Sequence, residues 1–514
     1  MEPLTPTSPE KMVKRWWAKP GPIAALVTVV TASALAVVAG RAGGDGNAAP
    51  AAAVRQVIVP PPSTTTPPPT EATAAAPPPA PVATSSATTP TTVAPAAPPT
   101  VETPRPAAAK APAPASVPLT LTAALQQAMA GVNGCLAVED EGGLAQLLFE
   151  HNSGGAFVPA SSQKVLVAAA VLSRLGPDFR YETKVVAARP PQDGALDNVW
   201  LVGGGDPLLV TPEYATYLSK KPRTADAPIT PLALLADELV AMGVRSIPAG
   251  LHPDETRYPP QRSVPTWKPS YITEAEVGSL GALTVNEGLS GWGPNQKVSA
   301  DPAVGTAHEL GRLLAARGVS LPGPAAGGNA PPDGVVIATI KSAPLGQIVA
   351  AMLRASDNYV AEMLVKELDR QSGGPGLTAG GTARVVQELA RVGVPMDGVH
   401  LNDGSGLDTG NRATCRALLG ALNLSRKPQF AIVDSGLAIA GRTGTLSKRY
   451  VGSPAEVVLA AKTGWINGVA AMVGRIARHP TRRFALIFNG SFGWPYAQQV
   501  QDRVVAALTS NLPI

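Results

Sequence analysis

Cysteine is scarce in this chain of 514 residues: Cys135 and Cys415 are the two it has. Two thiols cannot build a four-cysteine zinc site, and neither Cys-x-x-Cys nor His-Glu-x-x-His occurs. The five histidines, His151, His252, His308, His400 and His479, are scattered along the chain. No serine lies in a Gly-x-Ser-x-Gly elbow, which removes the usual signature of a Ser-His-Asp hydrolase. Strong charge is also lacking. The net charge is +5, and no basic run follows the N-terminal segment, so nothing points to nucleic acid. Aromatic residues make up only 4% of the chain.

Proline is abundant, at 54 residues, beside a 45% hydrophobic content. Such a composition mixes a globular part with a low-complexity part. Residues 1–21 are polar and carry Lys11, Lys14, Arg15 and Lys19, with Trp16 and Trp17 just ahead of an apolar run. In that run, 22–40, only Thr28, Thr31 and Ser33 are polar. Its length nearly matches a bilayer core of about 30 Å, and the basic flank places the N-terminus in the cytoplasm. The length favours an uncleaved transmembrane signal anchor. The small residues Ala36 to Gly40 also offer a cleavage site, and secretion is then the alternative. Residues 41–118 are Pro, Ala, Thr and Ser with few large apolar side chains, so they form a disordered, extended linker.

The globular part is expected from 119. Apolar patterning predicts a helix over 121–130 and strands over 135–138 and 144–149. A buried helix is expected over 161–174, stopped by Gly176-Pro177. Residues 181–340 read as strand-and-loop rich, with one short helix at 234–242. Helical patterns return at 344–368, 381–391 and 414–424. Strand patterns follow at 456–461, 468–477 and 483–488, and a helix at 496–508 closes the chain. This alternation predicts an α/β sandwich with an antiparallel sheet. Cys135 and Cys415 belong to an extracytoplasmic part, where they either pair or remain two buried thiols.

Three short motifs carry chemistry. In the first, Ser161-Ser162-Gln163-Lys164, Ser161 and Lys164 are three apart at the start of the buried helix, on one face. A buried lysine at a helix N-terminus is destabilised as a cation, which suits it to act as a base toward the serine. A capping serine followed by a snorkelling lysine is the plain alternative. The second is Ser356-Asp357-Asn358, a natural break between helices. Its hydroxyl can shuttle a proton and its amide can orient substrate and Lys164. The third is Lys462-Thr463-Gly464, read as following a strand that ends at Ala461. An edge there can pair with an extended peptide. Lys462 and Thr463 can hold a carboxylate, Lys462 can lower the Lys164 pKa, and Gly464 can admit a close substrate.

In this order the motifs resemble those of the penicillin-binding protein and serine β-lactamase superfamily. More narrowly, the chain resembles the type-4 (class C low-molecular-weight) penicillin-binding proteins, D-alanyl-D-alanine carboxypeptidases and endopeptidases. The long gap between Ser161 and Ser356 matches their inserted domain. Gly203-Gly204-Gly205-Asp206-Pro207, Asp403-Gly404-Ser405-Gly406-Leu407 and Gly444-Thr445-Leu446 match their order. The insert is somewhat shorter than in well-known members, and Trp465 stands where threonine is usual. The resemblance implies a penicillin-binding, serine β-lactamase-like α/β domain with helices flanking an antiparallel sheet. It places catalytic parts at 119–185 and 341–514 around a strand-rich insert at 186–340. It implies serine acyl transfer with Ser161 as nucleophile and Lys164 as base. Ser356 and Asn358 relay and orient, Lys462, Thr463 and Gly464 bind substrate, and the N–H groups of Ser161 and Trp465 form the oxyanion hole. The implied partners are peptidoglycan stem peptides and β-lactam antibiotics, with no metal and no cofactor. The rival function is a wall-binding or scaffold protein that keeps this fold without turnover.

Overall fold

The computed structural model describes residues 120–141, 146–478 and 480–512. The segments read as cytoplasmic tail, signal anchor and linker (1–21, 22–40 and 41–118) lie outside them. Among the described residues, no helix is long and apolar enough to cross a membrane.

Helix α1 (Leu121–Met129) is capped by the Thr120 hydroxyl, which accepts from the Ala123 N–H. Strands β1 (Gly134–Asp140) and β2 (Gln146–His151) follow, then α2 (Lys164–Leu175). The chain then leaves for β3 (Glu182–Ala187), β4 (Val199–Val202), α3 (Pro212–Ser219) and α4 (Ala233–Ala241). It returns through β5 (Leu251–Asp254), α5 (Pro302–Ala315) and β6 (Val335–Lys341). A helical block comes next: α6 (Leu345–Ala355), α7 (Asn358–Gln371), α8 (Thr378–Arg391) and α9 (Cys415–Asn423). Strands β7 (Ala438–Ile439), β8 (Leu459–Ile466), β9 (Val469–Ile476) and β10 (Arg482–Asn489) precede the closing helix α10 (Trp494–Thr509).

The main sheet has the order β7-β8-β9-β10-β1-β2, and every pairing in it is antiparallel. Its strands alternate between two cores, as period-two geometry demands. Cys135, Ala137, Ala471, Val473, Ala485 and Ile487 face the core built on α2 and α6–α9. Leu136, Val138, Ala470, Met472, Phe484 and Leu486 face the core shared with α1 and α10. This is the α/β sandwich expected from the sequence. Lys164 through Leu172 are all buried, because α2 is apolar on every side.

The insert carries its own four-stranded sheet, ordered β6-β3-β4-β5, over a separate apolar core. Beyond the one expected it also carries two longer helices, α3 and α5, and a four-residue helix at Ser270–Thr273. Asp301-Pro302 starts α5, with the Asp301 carboxylate accepting from the Val304 N–H and apolar residues at helical spacing facing inward. A fourth cluster joins Tyr258, Trp267 and Leu280 of the insert to Tyr359 and Met363 of α7. Cys135 on β1 and Cys415 at the start of α9 are disulfide-bonded, with Cα atoms 6.0 Å apart. That resolves the two alternatives the sequence left open.

Candidate active site

Ser161 lies in a single tight turn, Ala160–Gln163, and the regular helix begins only at Lys164. The regular helix therefore starts one turn later than expected. Ala160 precedes the serine with φ 46°, a left-handed conformation that costs a non-glycine residue about 1–3 kcal/mol. The loop 403–411 braces this strained turn. Gln163 Nε2 donates to the Asp403 carbonyl oxygen (2.6 Å) and carboxylate (3.0 Å). Gly406 packs so close that a Cβ there would lie 2.1 Å from the Ala160 oxygen.

Lys164 is fully buried, and its Nζ lies 2.9 Å from Ser161 Oγ. The same amine donates to Asn358 Oδ1 (2.8 Å) and to the Ser405 carbonyl oxygen (2.6 Å). Burial pushes the Lys164 amine down to about 8, while Asp403, Glu362 and Asp357 hold it up. A pKa of about 8 leaves a useful neutral fraction at physiological pH, as a general base requires.

The second motif breaks the helical stretch from 344 to 368 into two helices, as its Ser-Asp-Asn composition suggested. Ser356 ends α6 in the left-handed conformation, and Asp357 caps α7 by accepting from the Val360 N–H. The break is what turns Ser356 toward Lys462, whose Nζ lies 2.8 Å from Ser356 Oγ. Asn358 spans two regions, accepting from Lys164 and donating to the Glu276 carbonyl of the insert (3.2 Å).

The third motif lies within a strand, not after one: β8 runs from Leu459 to Ile466. The short β7 pairs only with Ala460 and Ala461, so residues 462–466 keep a free edge on that side. The Leu459 carbonyl accepts from Ala440 on the β7 side. Backbone direction alternates along a strand, so the N–H and C=O of Thr463 and Trp465 face the same open edge. Lys462 Nζ donates to the Thr463 carbonyl (2.6 Å), and the Thr463 and Thr445 hydroxyls are 2.9 Å apart.

Two sequence expectations change here. A Cβ on Gly464 would lie 2.8 Å from the Pro159 oxygen, 3.0 Å from the Ser162 nitrogen and 3.1 Å from the Ser161 nitrogen. The glycine therefore makes room for the nucleophile's own turn and leaves the Ser161 N–H uncovered. Burial, more than Lys462, sets the Lys164 pKa, and repulsion between the two amines acts on both. Lys462 is pushed well below the ordinary lysine value by burial, then by the charges of Lys164 and Arg223. Arg223 belongs to the insert.

The geometry thus gathers Ser161, Lys164, Ser356, Asn358, Lys462, Thr463 and Gly464 in one place. Trp465 contributes backbone there, while its ring packs on the opposite face of the sheet beside Trp494 and Phe492. Sequence reasoning gave no role to Glu362 or Arg223, and used 403–407 only as part of the family resemblance. Glu362 is fully buried and accepts from the N–H groups of Gly404 (3.0 Å) and Ser405 (2.7 Å), aiming the Ser405 carbonyl at Lys164. Burial and the nearby Asp403 push the Glu362 carboxyl up to about 8. Among the described residues no group of acidic, histidine or cysteine side chains is arranged to hold a metal.

A serine hydroxyl on a buried amine, with a second hydroxyl-amine pair opposite, is arranged for acyl transfer. The profile of the D-Ala-D-Ala carboxypeptidase 3 (S13) family matches residues 119–292 and 294–511. The chain belongs to that family. It is 28% identical to the D-alanyl-D-alanine carboxypeptidase of Actinomadura sp. (strain R39), covering 75% of this chain and 82% of the relative. It is 30% identical to carboxypeptidase DacB of Mycolicibacterium smegmatis, over 71% of this chain and 77% of that one. Its fold is similar to penicillin binding protein 4 (dacB) of Haemophilus influenzae. The TM-score there is 0.62 at 21% identity, over 74% of this chain and 98% of the other. The family membership and this fold likeness agree with the type-4 resemblance read from the motifs.

Proposed function

We propose that the site removes the terminal residue from peptides ending in D-alanyl-D-alanine, with Ser161 as the nucleophile. The chain is a serine-type D-Ala-D-Ala carboxypeptidase/endopeptidase of its family, acting on peptidoglycan stem peptides and acylated by β-lactams. The observation that carries the residue roles is the 2.9 Å contact between Ser161 Oγ and a buried Lys164 amine lowered to about 8.

In this reading Lys164 takes the Ser161 proton as Oγ attacks the carbonyl of the penultimate D-alanine. The N–H groups of Ser161 and Trp465 hold the developing oxyanion. As the tetrahedral species collapses, the peptide C–N bond breaks. The proton then passes from Lys164 through Ser356 to the departing amine. Lys462 and Thr463 hold the carboxylate of the leaving D-alanine, with Arg223 adding positive potential. Water then attacks the ester and regenerates Ser161. The full set of hydroxyl-amine contacts weighs against the scaffold alternative. The experiment is D-alanine release from an acyl-D-Ala-D-Ala peptide. Wild type is expected to release it, and benzylpenicillin to block it. A Ser161→Ala variant with unchanged circular dichroism is expected to do neither chemistry nor labelling. Turnover by that variant would overturn the assignment.

We also propose 119–185 and 341–514 as the catalytic parts and 186–340 as the insert; the insert's separate sheet and core support the division, with that sheet running from Glu182 to Lys341, slightly beyond these bounds. The catalytic part works outside the cytoplasm, where the Cys135–Cys415 bond persists. The run 22–40 is proposed to tether it to the membrane.

A further inference from the structure

Aromatic residues are rare in this chain: seven Trp, eight Tyr and seven Phe. Yet five of them adjoin one another at one end of the main sheet. Trp465 meets Trp494 edge to face (centroids 5.0 Å) and Phe492 at 6.3 Å. Phe492 continues to Phe488 (5.1 Å) and Tyr496 (5.4 Å). Packing alone does not account for this cluster, because Trp494 and Tyr496 remain 37% and 39% exposed. Arg449 stacks on the Trp494 ring at 5.4 Å, which fixes its plane.

A groove of about 440 Å³ opens beside these rings, lined by Phe492 and Tyr496 together with Asn133, Asn489 and Ser491. That volume is in the range of small-molecule sites, about 300–1,000 Å³. Asn489 is tied to the nucleophile's approach: its side chain accepts from the Val158 N–H (2.8 Å) and donates to the Val158 carbonyl (3.1 Å).

The groove lies beyond Trp465, in the direction the rest of a bound substrate would take. If Lys462 and Thr463 hold the terminal carboxylate and Trp465 N–H holds the scissile carbonyl, the acyl portion runs on past Trp465. That direction follows β8 toward Gly468, whose carbonyl accepts from the Gly490 N–H in the wall of the groove (2.9 Å). Four further residues of stem peptide reach roughly 13 Å in extended form. Beyond them the peptide is attached to a polymer of N-acetylated aminosugars. A pyranose offers one face of C–H bonds, which packs on an aromatic ring, and a rim of hydroxyl and acetamido groups, which pair with amides and hydroxyls.

We propose that Trp494, Tyr496 and the adjoining groove bind an aminosugar of the glycan strand while its stem peptide occupies the catalytic site. This rests on the functional reading above. The site thereby distinguishes a peptide on the polymer from a free peptide.

The test compares a free pentapeptide ending in D-Ala-D-Ala with the same peptide on an N-acetylglucosaminyl-N-acetylmuramyl disaccharide, using the full chain. Wild type is expected to favour the disaccharide form in kcat/KM by about tenfold, the scale of one stacked aromatic contact. Trp494→Ala and, separately, Tyr496→Ala should lose most of that ratio while keeping kcat/KM on the free peptide. Trp494→Phe should keep most of the preference. In parallel, a tetramer of N-acetylglucosamine should perturb the tryptophan fluorescence of wild type, and much less that of Trp494→Ala. A wild-type ratio near one, or a ratio unchanged in both alanine variants, overturns the proposal. Penicillin labelling of each protein keeps the two readings apart. Labelling without sugar preference defeats only the glycan site, whereas sugar binding without labelling defeats the catalytic assignment.

Discussion

The two buried lysines of the site make an instructive pair. Lys164 comes from the helical side, at the first position of α2, and Lys462 from the sheet side, inside β8. Both are fully buried, and burial lowers both. Their surroundings then diverge. Lys164 faces Asp403, Glu362 and Asp357, which hold it at about 8. Lys462 has cations as its electrostatic neighbours, Lys164 and Arg223, and falls well below the ordinary value. A base must give up and recover its proton near neutral pH, and the carboxylates beside Lys164 keep it in that range. A position short of negative charge is instead prepared to receive an anion. The arriving carboxylate of a substrate would favour the charged form of Lys462 and be held by it. The same residue type thus serves two ends of one reaction, and neighbouring charge decides which.

The largest break in this comparison is expected at Lys164. Lys164→Ala should lose about two to four decades in acylation rate, the usual contribution of a general base. Stopped-flow quenching of protein fluorescence on mixing with benzylpenicillin reads that rate. Lys462→Ala should act more narrowly. Capture of a carboxylate by a charge-assisted pair contributes about 1.5–3 kcal/mol, roughly one to two decades in kcat/KM. Amidating the substrate's C-terminus should cost wild type that much and the variant far less, as a double-mutant cycle measures. Equal wild-type rates on acid and amide substrates would contradict carboxylate capture and favour internal peptide bonds as substrates.

Much of this site was legible because its motifs are local. Ser161 and Lys164 are one helical turn apart, and Ser356-Asp357-Asn358 and Lys462-Thr463-Gly464 are contiguous. The apolar run behind Lys164 already showed that its helix would be buried. What stayed hidden depends on segments far apart in sequence, or on backbone atoms. The Ser405 carbonyl that receives the Lys164 amine has no side-chain signature. Glu362 reads as one more polar residue on a helix until the loop 403–411 folds over it. Gly464 looked like space for substrate, and only the packing of the nucleophile's turn against β8 shows whose space it is. The extra helices α3 and α5 did have signals, in Thr211-Pro212 and Asp301-Pro302, each a capping residue followed by proline. The reading of 181–340 as strand-and-loop rich passed over them.

The two sides that carry the lysines are linked by Cys135 on β1 and Cys415 at α9. Replacing both with serine should destabilise the fold by about 2–5 kcal/mol, read by denaturant unfolding, with little change in acylation rate at low temperature. An unchanged unfolding midpoint would mean the bond carries no stability.

Smaller effects sharpen the electrostatic part. Lys164 accepts a proton only when neutral, so kcat/KM should fall as pH drops below about 8. Glu362→Gln keeps an oxygen to accept from Gly404 and Ser405 but removes a carboxylate that holds Lys164 up. Its acid limb should therefore move to lower pH, by less than loss of a fixed charge would give, because the Glu362 carboxyl itself is pushed up to about 8. A limb that stays in place or moves upward would show that Glu362 does not tune the base. The smallest effect is expected at Ser405→Ala, since Lys164 contacts the Ser405 backbone rather than its hydroxyl.

The most direct measurement is the location of the covalent adduct. The full chain is acylated with benzylpenicillin, digested, and mapped by mass spectrometry. The account predicts one penicilloyl group on the peptide containing Ser161, and none on any peptide of the Ser161→Ala protein. An adduct on Ser356 or Ser405, or an adduct that survives Ser161→Ala, would contradict it.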